Sequence, residues 1–186
     1  ETFSSAEHFA ATRDAIIEWI DAHEAAFARV QSNLDPDHRN KPLWQQGDVI
    51  WGNRVLPDIR PDRDFYIKAY IQRVNNDPLA FKAGFAMSFN NRGMSEFWDG
   101  WMTDEERQRI ELLRERATRV DKRLGWTTGR GWCEGDLTYR GQGIFYEVAE
   151  LPRRIPRYEL DPSVRIEKHE APTQIGIYLP DVDFAP

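Results

Sequence analysis

Apolar residues recur at spacings of three and four along the first part of the chain. Phe9, Ile16, Ile20, Phe27, Val30 and Leu34 fall on one helical face. Ser4-Ser5-Ala6-Glu7 fits a capping box with Ser4 as N-cap, which predicts a helix running to about Gln31. Asp35-Pro36-Asp37 ends it. Residues 35–61 are rich in Pro, Gly and Asn and read as a long structured loop, with a short strand at Val49-Ile50-Trp51. A second helix is predicted from Asp62, as its cap, to about Val74. A third follows Asp77-Pro78, an N-cap with proline at the first helical position, and runs to about Phe89. Thr103-Asp104-Glu105-Glu106 is a second capping box. The helix after it carries Ile110, Leu113, Ala117, Val120 and Leu124 as one stripe, with Gly125 as its stop.

The pattern changes at Trp126. Glycines crowd residues 129–143 and prolines punctuate the rest. Thr127-Thr128, Leu137-Thr138-Tyr139, residues 144–148, Val164-Arg165-Ile166 and residues 175–178 favour extended structure. The expectation is one α+β domain over 1–186: a mainly helical part, about 4–125, packed with a small irregular antiparallel β region, about 126–186. A length of 186 residues buries a core without disulfides or metals. Seven Trp and ten Phe supply large buried area from a modest number of aliphatics.

Charge narrows the partner class. The net charge of −6 is uneven: residues 1–50 hold nine acids and four bases, and the remainder is nearly balanced. Asp14, Glu18 and Asp21 lie three or four apart and form an acidic stripe on the first helix. Such a face disfavours nucleic acid, which requires a basic surface, and suits a basic protein partner; a solvated, solubilising face is the bland alternative. Trp98-Asp99-Gly100-Trp101, with Phe97 beside it, has two readings. The indoles are an exposed anchor for a partner, or they plug a helix–helix corner.

Catalytic and metal signatures are weak. His23-Glu24-Ala25-Ala26-Phe27 misses the HExxH zinc helix because Phe27 stands at the second histidine position. His8, His23, His38 and His169 therefore read as surface or helix-face residues. The Asp-x-Asp pairs at 35, 62 and 181 lack the glycine and glutamate of a calcium loop. Asp35 reads as a turn residue and Asp62 as a cap. The glycines at 129–131 and 141–143 follow a helix and lead into strand-like sequence, the reverse of a dinucleotide fingerprint. Cys133, the single cysteine, is followed by Glu134, which raises a thiol's pKa. No G-x-S-x-G elbow is present, and no cofactor or metal is expected. Thirty-one acids always leave open a dispersed carboxylate/His hydrolase site.

One disulfide-incapable cysteine, no long apolar run and a polar N-terminus lead to the expectation of a cytoplasmic chain with no membrane partner. The chain lacks an initial Met and ends abruptly, so the natural protein is expected to extend further.

The run Thr173-Gln174-Ile175-Gly176-Ile177-Tyr178-Leu179-Pro180-Asp181 resembles a Gly-Ile-Tyr-Leu-Pro-Asp segment of immunity proteins from bacterial polymorphic toxin systems, close to the family called immunity protein 72. The helix-rich first half with scattered tryptophans is also similar. The resemblance implies a non-enzymatic monomer or homodimer that binds a cognate toxin, delivered by contact-dependent or type VI secretion machinery, and occludes its active site. Partner contacts are then expected at Asp14, Glu18, Asp21, Trp98 and Trp101. Alternatives are the dispersed hydrolase and a secretion-system adaptor.

Overall fold

A computed structural model describes residues 2–84, 87, 96–129, 159–167, 169–174 and 178. The described part is mainly helical, and no strand occurs among the described residues. Three long helices dominate: α1 (Ala6–Ser32), α3 (Leu56–Val74) and α4 (Asp104–Thr128), with a short α2 (Gly47–Ile50) leading into α3.

Helix α1 lies between the other two. Its contacts pair Asp21 and Glu24 with Arg63 and Arg60 of α3, and Arg29, Glu18 and His8 with Glu106, Arg116 and Val120 of α4. Numbering falls on one side as it rises on the other, so α1 runs antiparallel to both neighbours. A helix covered on two sides needs a wider apolar stripe than a surface helix. Phe9, Thr12, Ala15, Ile16, Trp19, Ile20, His23 and Ala26 are accordingly all buried. Periodicity alone captured one edge of that stripe; Trp19 completes it, while Leu34 lies outside the helix and is exposed.

The N-cap of α1 is Ser5, whose side chain accepts from His8 N–H, one residue later than the sequence reading placed it. Ser4 belongs to a preceding 3₁₀ turn, Thr2–Ser4. The Thr103 box is formed in both directions: Glu106 N–H donates to Thr103 Oγ1 at 3.2 Å and Thr103 N–H to Glu106 Oε2 at 2.9 Å.

Residues 35–61 depart most from expectation. Val49-Ile50-Trp51 is helical, not a strand, and the segment is a chain of short turns (Pro36–Asn40, Leu43–Gln45) followed by α2. A π turn over Trp51–Val55, in which Leu56 N–H donates to Trp51 five residues back, joins α2 to α3. Pro57 sits in the first turn of α3 and Pro61 inside it, where its missing N–H ordinarily breaks a helix. Packing of Leu56, Ile59, Tyr66 and Ala69 against the core outweighs that local penalty. Asp62 is thus a buried residue within the helix and not its cap.

The segment after Asp77 is a 3₁₀ turn, Pro78–Lys82, with Asp77 accepting from Leu79 N–H as its cap; the remainder of the expected third helix lies largely outside the described residues. Helix α4 passes through Gly125 and ends at Thr128, with Gly129 as C-cap. Gly125 serves packing and not termination. Gly84, at φ +118°, brings its backbone so close that a Cβ there would sit 2.5 Å from Gly125 Cα. Thr127-Thr128, expected to be extended, forms the last helical turn. Val164-Arg165-Ile166 is in no strand, and the other expected strands lie mostly outside the described residues.

Gly47 marks the second close approach. A Cβ on it would meet the Trp101 ring at 2.2 Å, whereas one on Gly52 would meet only the tip of Phe27 at 2.9 Å. Overpacking of a rigid indole costs about 1–3 kcal/mol. Gly47→Ala should lower the urea midpoint clearly, and Gly52→Ala should lower it less. Equal midpoints for the two variants would contradict the packing of Trp101 on Gly47.

Candidate protein-binding site

The end of the bundle where α1 finishes, α2 begins and α4 begins is built from tryptophans. Trp51 is buried; its indole N–H donates to Nδ1 of His23 at 3.2 Å, and its ring meets Trp101 edge-on at 5.1 Å. Trp19 closes the other side of His23, ring centroids 5.1 Å apart. Because Nδ1 accepts, the neutral imidazole carries its proton on Nε2. Burial pushes the His23 pKa down to about 4.

Trp101 and Trp98 face opposite ways. Trp101 packs inward on Trp51 and Gly47. Trp98 turns outward, 37 % exposed, and meets Trp44 edge-to-face at 5.9 Å. Trp44 is 56 % exposed and the adjacent Leu43 60 %. The backbone of Gly100 lies under the Trp98 ring, so close that a Cβ would fall 2.4 Å from Cζ2. The Trp98 indole therefore rests against the backbone of its own turn. The two rings are placed differently: Trp101 plugs the corner and Trp98 reaches solvent.

Two charged groups anchor this corner. Arg29, at the end of α1, grips Glu106 with Nε–Oε1 at 2.5 Å and Nη2–Oε2 at 2.7 Å, and donates to the Trp101 carbonyl at 3.3 Å. The Arg29 hydrogen bond holds the Glu106 carboxyl below its ordinary range. In the loop before α2, His38 Nε2 lies 2.6 Å from Asp48 Oδ1, and Arg39 Nη2 2.6 Å from Oδ2. Burial works to raise the Asp48 pKa, but the Arg39 and His38 bonds outweigh it and hold the carboxyl low. His38 is thus buried and paired, not a surface histidine. A His–carboxylate pair can orient a general base. Here both carboxylate oxygens are engaged and fix the loop that carries Trp44.

The acidic stripe is placed differently from the tryptophans. Asp14 pairs with Arg13 at 2.7 Å, Glu18 with Arg116 of α4 at 2.7 Å, and Asp21 with Arg63 of α3. Arg13 also stacks on Tyr70 of α3, its guanidinium 4.2 Å from the ring centroid. Neighbouring Glu24 pairs with Arg60 at 3.0 Å. All three predicted carboxylates stay solvent-exposed, yet each lies against an arginine. The structure does not bring them to the Trp98–Trp101 corner.

A second buried polar pair lies elsewhere in the bundle: Tyr66 donates to Asp121, and burial pushes the Tyr66 pKa up. Among the described residues no group of three or more His, Cys, Asp or Glu side chains is placed to hold a metal. No helix among them is long and apolar enough to cross a membrane. Cys133 lies outside the described residues.

Sequence reasoning missed Trp44, His38–Asp48 and Arg29–Glu106. A signal existed for Trp44: Leu43-Trp44 is an apolar pair in a polar loop with no periodic partner. The two ion pairs join residues whose proximity only the fold creates.

No protein-family model, curated protein or solved structure matches the chain.

His23 gives the corner a pH signature. Its folded pKa lies below the unfolded value near 6.5, so the unfolded state binds the extra proton. Stability is full above about pH 6.5 and falls progressively toward pH 4, by on the order of 3 kcal/mol. His8, also lowered by burial, adds to the same slope. His23→Gln should flatten most of the loss between pH 6.5 and 4 in urea titrations. An unchanged slope would mean that His23 is not held neutral in the core.

Proposed function

We propose that this chain is a cytoplasmic immunity protein that binds a cognate toxin domain and neutralises it by covering the toxin's active site. The observation that carries this reading is the exposed Trp44–Trp98 pair. Large, partly exposed aromatic rings packed on each other are the kind of residue on which binding hot spots are built. The resemblance of residues 173–181 to polymorphic-toxin immunity proteins supplies the partner class.

The reading gives the chain no catalytic residue and no cofactor. Trp98 is the anchor, and Trp101 holds the anchor's segment in place. Asp14, Glu18 and Asp21 take part only by exchanging their arginine partners for cationic groups of the toxin. That exchange limits their contribution, because each intramolecular pair must first be given up. A hydrolase remains the alternative, and His38–Asp48 is the pair it would use.

The test is co-expression with the C-terminal domain encoded by the neighbouring gene. Growth arrest by the toxin domain alone, rescue by this chain and recovery of a stable complex are the expected results. His38→Gln, which keeps an N–H donor toward Asp48 but cannot act as a base, should leave rescue intact. Toxicity without rescue contradicts the immunity reading, and loss of rescue in His38→Gln with an intact fold favours the hydrolase.

A further inference from the structure

Charge is distributed unequally between the two candidate surfaces. On α1, Asp14, Glu18, Asp21 and Glu24 each lie against an arginine of the same molecule. At the tryptophan corner the balance is reversed. Residues 35–48 and 96–106, which carry Trp44 and Trp98, hold eight acids and two Lys or Arg residues. Asp48, Glu106 and Asp104 are engaged by Arg39, Arg29 and Arg107. Glu96 and Asp99, which flank Trp98 in the chain, are exposed and enter no ion pair among the described residues.

The geometry points to the Trp44–Trp98 face, with the exposed Glu96 and Asp99 one or two residues from Trp98 in the chain, as a docking surface for an arginine-presenting segment of a partner protein. An indole face attracts a guanidinium through its quadrupole and through planar stacking, and adjacent carboxylates accept the guanidinium N–H groups. The edge-to-face arrangement of the two rings leaves indole surface open, and the Gly100 backbone holds Trp98 in place before the partner arrives. Little side-chain freedom is then lost on binding. Nucleic acid also stacks on indoles, but carboxylates beside the ring repel phosphate. This inference rests on the immunity reading for the identity of the partner, and on the corner alone for its chemistry.

The experiment uses the full chain and a peptide of alternating arginine and glycine, titrated by calorimetry. Lysine and glutamate counterparts and a single-stranded oligonucleotide are run beside it. The arginine peptide should bind more tightly than the lysine one, and the other two should not bind. Trp98→Ala, Trp44→Ala and the double variant Glu96→Lys/Asp99→Lys should each weaken binding about tenfold or more with helical content unchanged. The charge-matched Asp58→Lys/Asp64→Lys on α3 should leave it within about twofold. Equal weakening by the α3 variant, indifference to the corner variants, no binding of the arginine peptide, or preferential binding of the oligonucleotide overturns the proposal. Peptide binding at the corner without toxin rescue would defeat the immunity reading and leave this surface standing. Toxin binding unaffected by Trp44→Ala and Trp98→Ala would do the opposite.

Discussion

Glu106 serves two structures with one carboxylate. It closes the capping box that starts α4, and it accepts hydrogen bonds from Nε and Nη2 of Arg29 at the end of α1. The first role fixes where α4 begins; the second fixes α4 against α1 in antiparallel register. Arg29 also holds the Trp101 carbonyl, so the turn between Glu96 and Thr103 is tied to the bundle at its C-terminal end. Trp101 is thereby held beside Gly47, and Trp98, three residues earlier, lies partly exposed. A partly exposed ion pair ordinarily contributes little to stability. This one acts through position.

Inward and outward tryptophans divide the labour at the corner. Trp19 and Trp51 flank a neutral histidine, and Trp101 packs on Trp51 to close the core. Trp44 and Trp98 meet each other edge-to-face and stay partly exposed, with the Gly100 backbone against Trp98. Rigid rings over a packed floor present apolar area without having to order it first, which favours recognition over mere burial. Glu18 and Asp21 of α1, by contrast, are already answered by arginines of α4 and α3, and those pairs tie the three helices together.

The sequence made the long helices legible wherever periodicity and capping agreed. The Thr103 box and the Ile110–Leu124 stripe lie where they were expected, because a capping carboxylate and an apolar repeat are local signals. Reading failed where tertiary contact overrode local preference. Pro57 and Pro61 spoke for a loop, and burial of Ile59 and Tyr66 made a helix of it. Gly125 spoke for a stop, and the approach of Gly84 made it a packing site. Trp98 and Trp101 were visible as a pair, but which ring faces out depends on Gly47, about fifty positions away, and no local pattern reports that. The acidic stripe was legible as a stripe; two of the arginines that answer it, Arg116 and Arg63, come from other helices.

Hydrogen–deuterium exchange of the chain, with and without the proposed cognate toxin domain, tests the central claim most directly. The account predicts new protection in residues 43–48 and 96–102, with the middle of α1 unchanged. Protection confined to α1 and its arginine partners, or no change at the tryptophan corner in a formed complex, would contradict it.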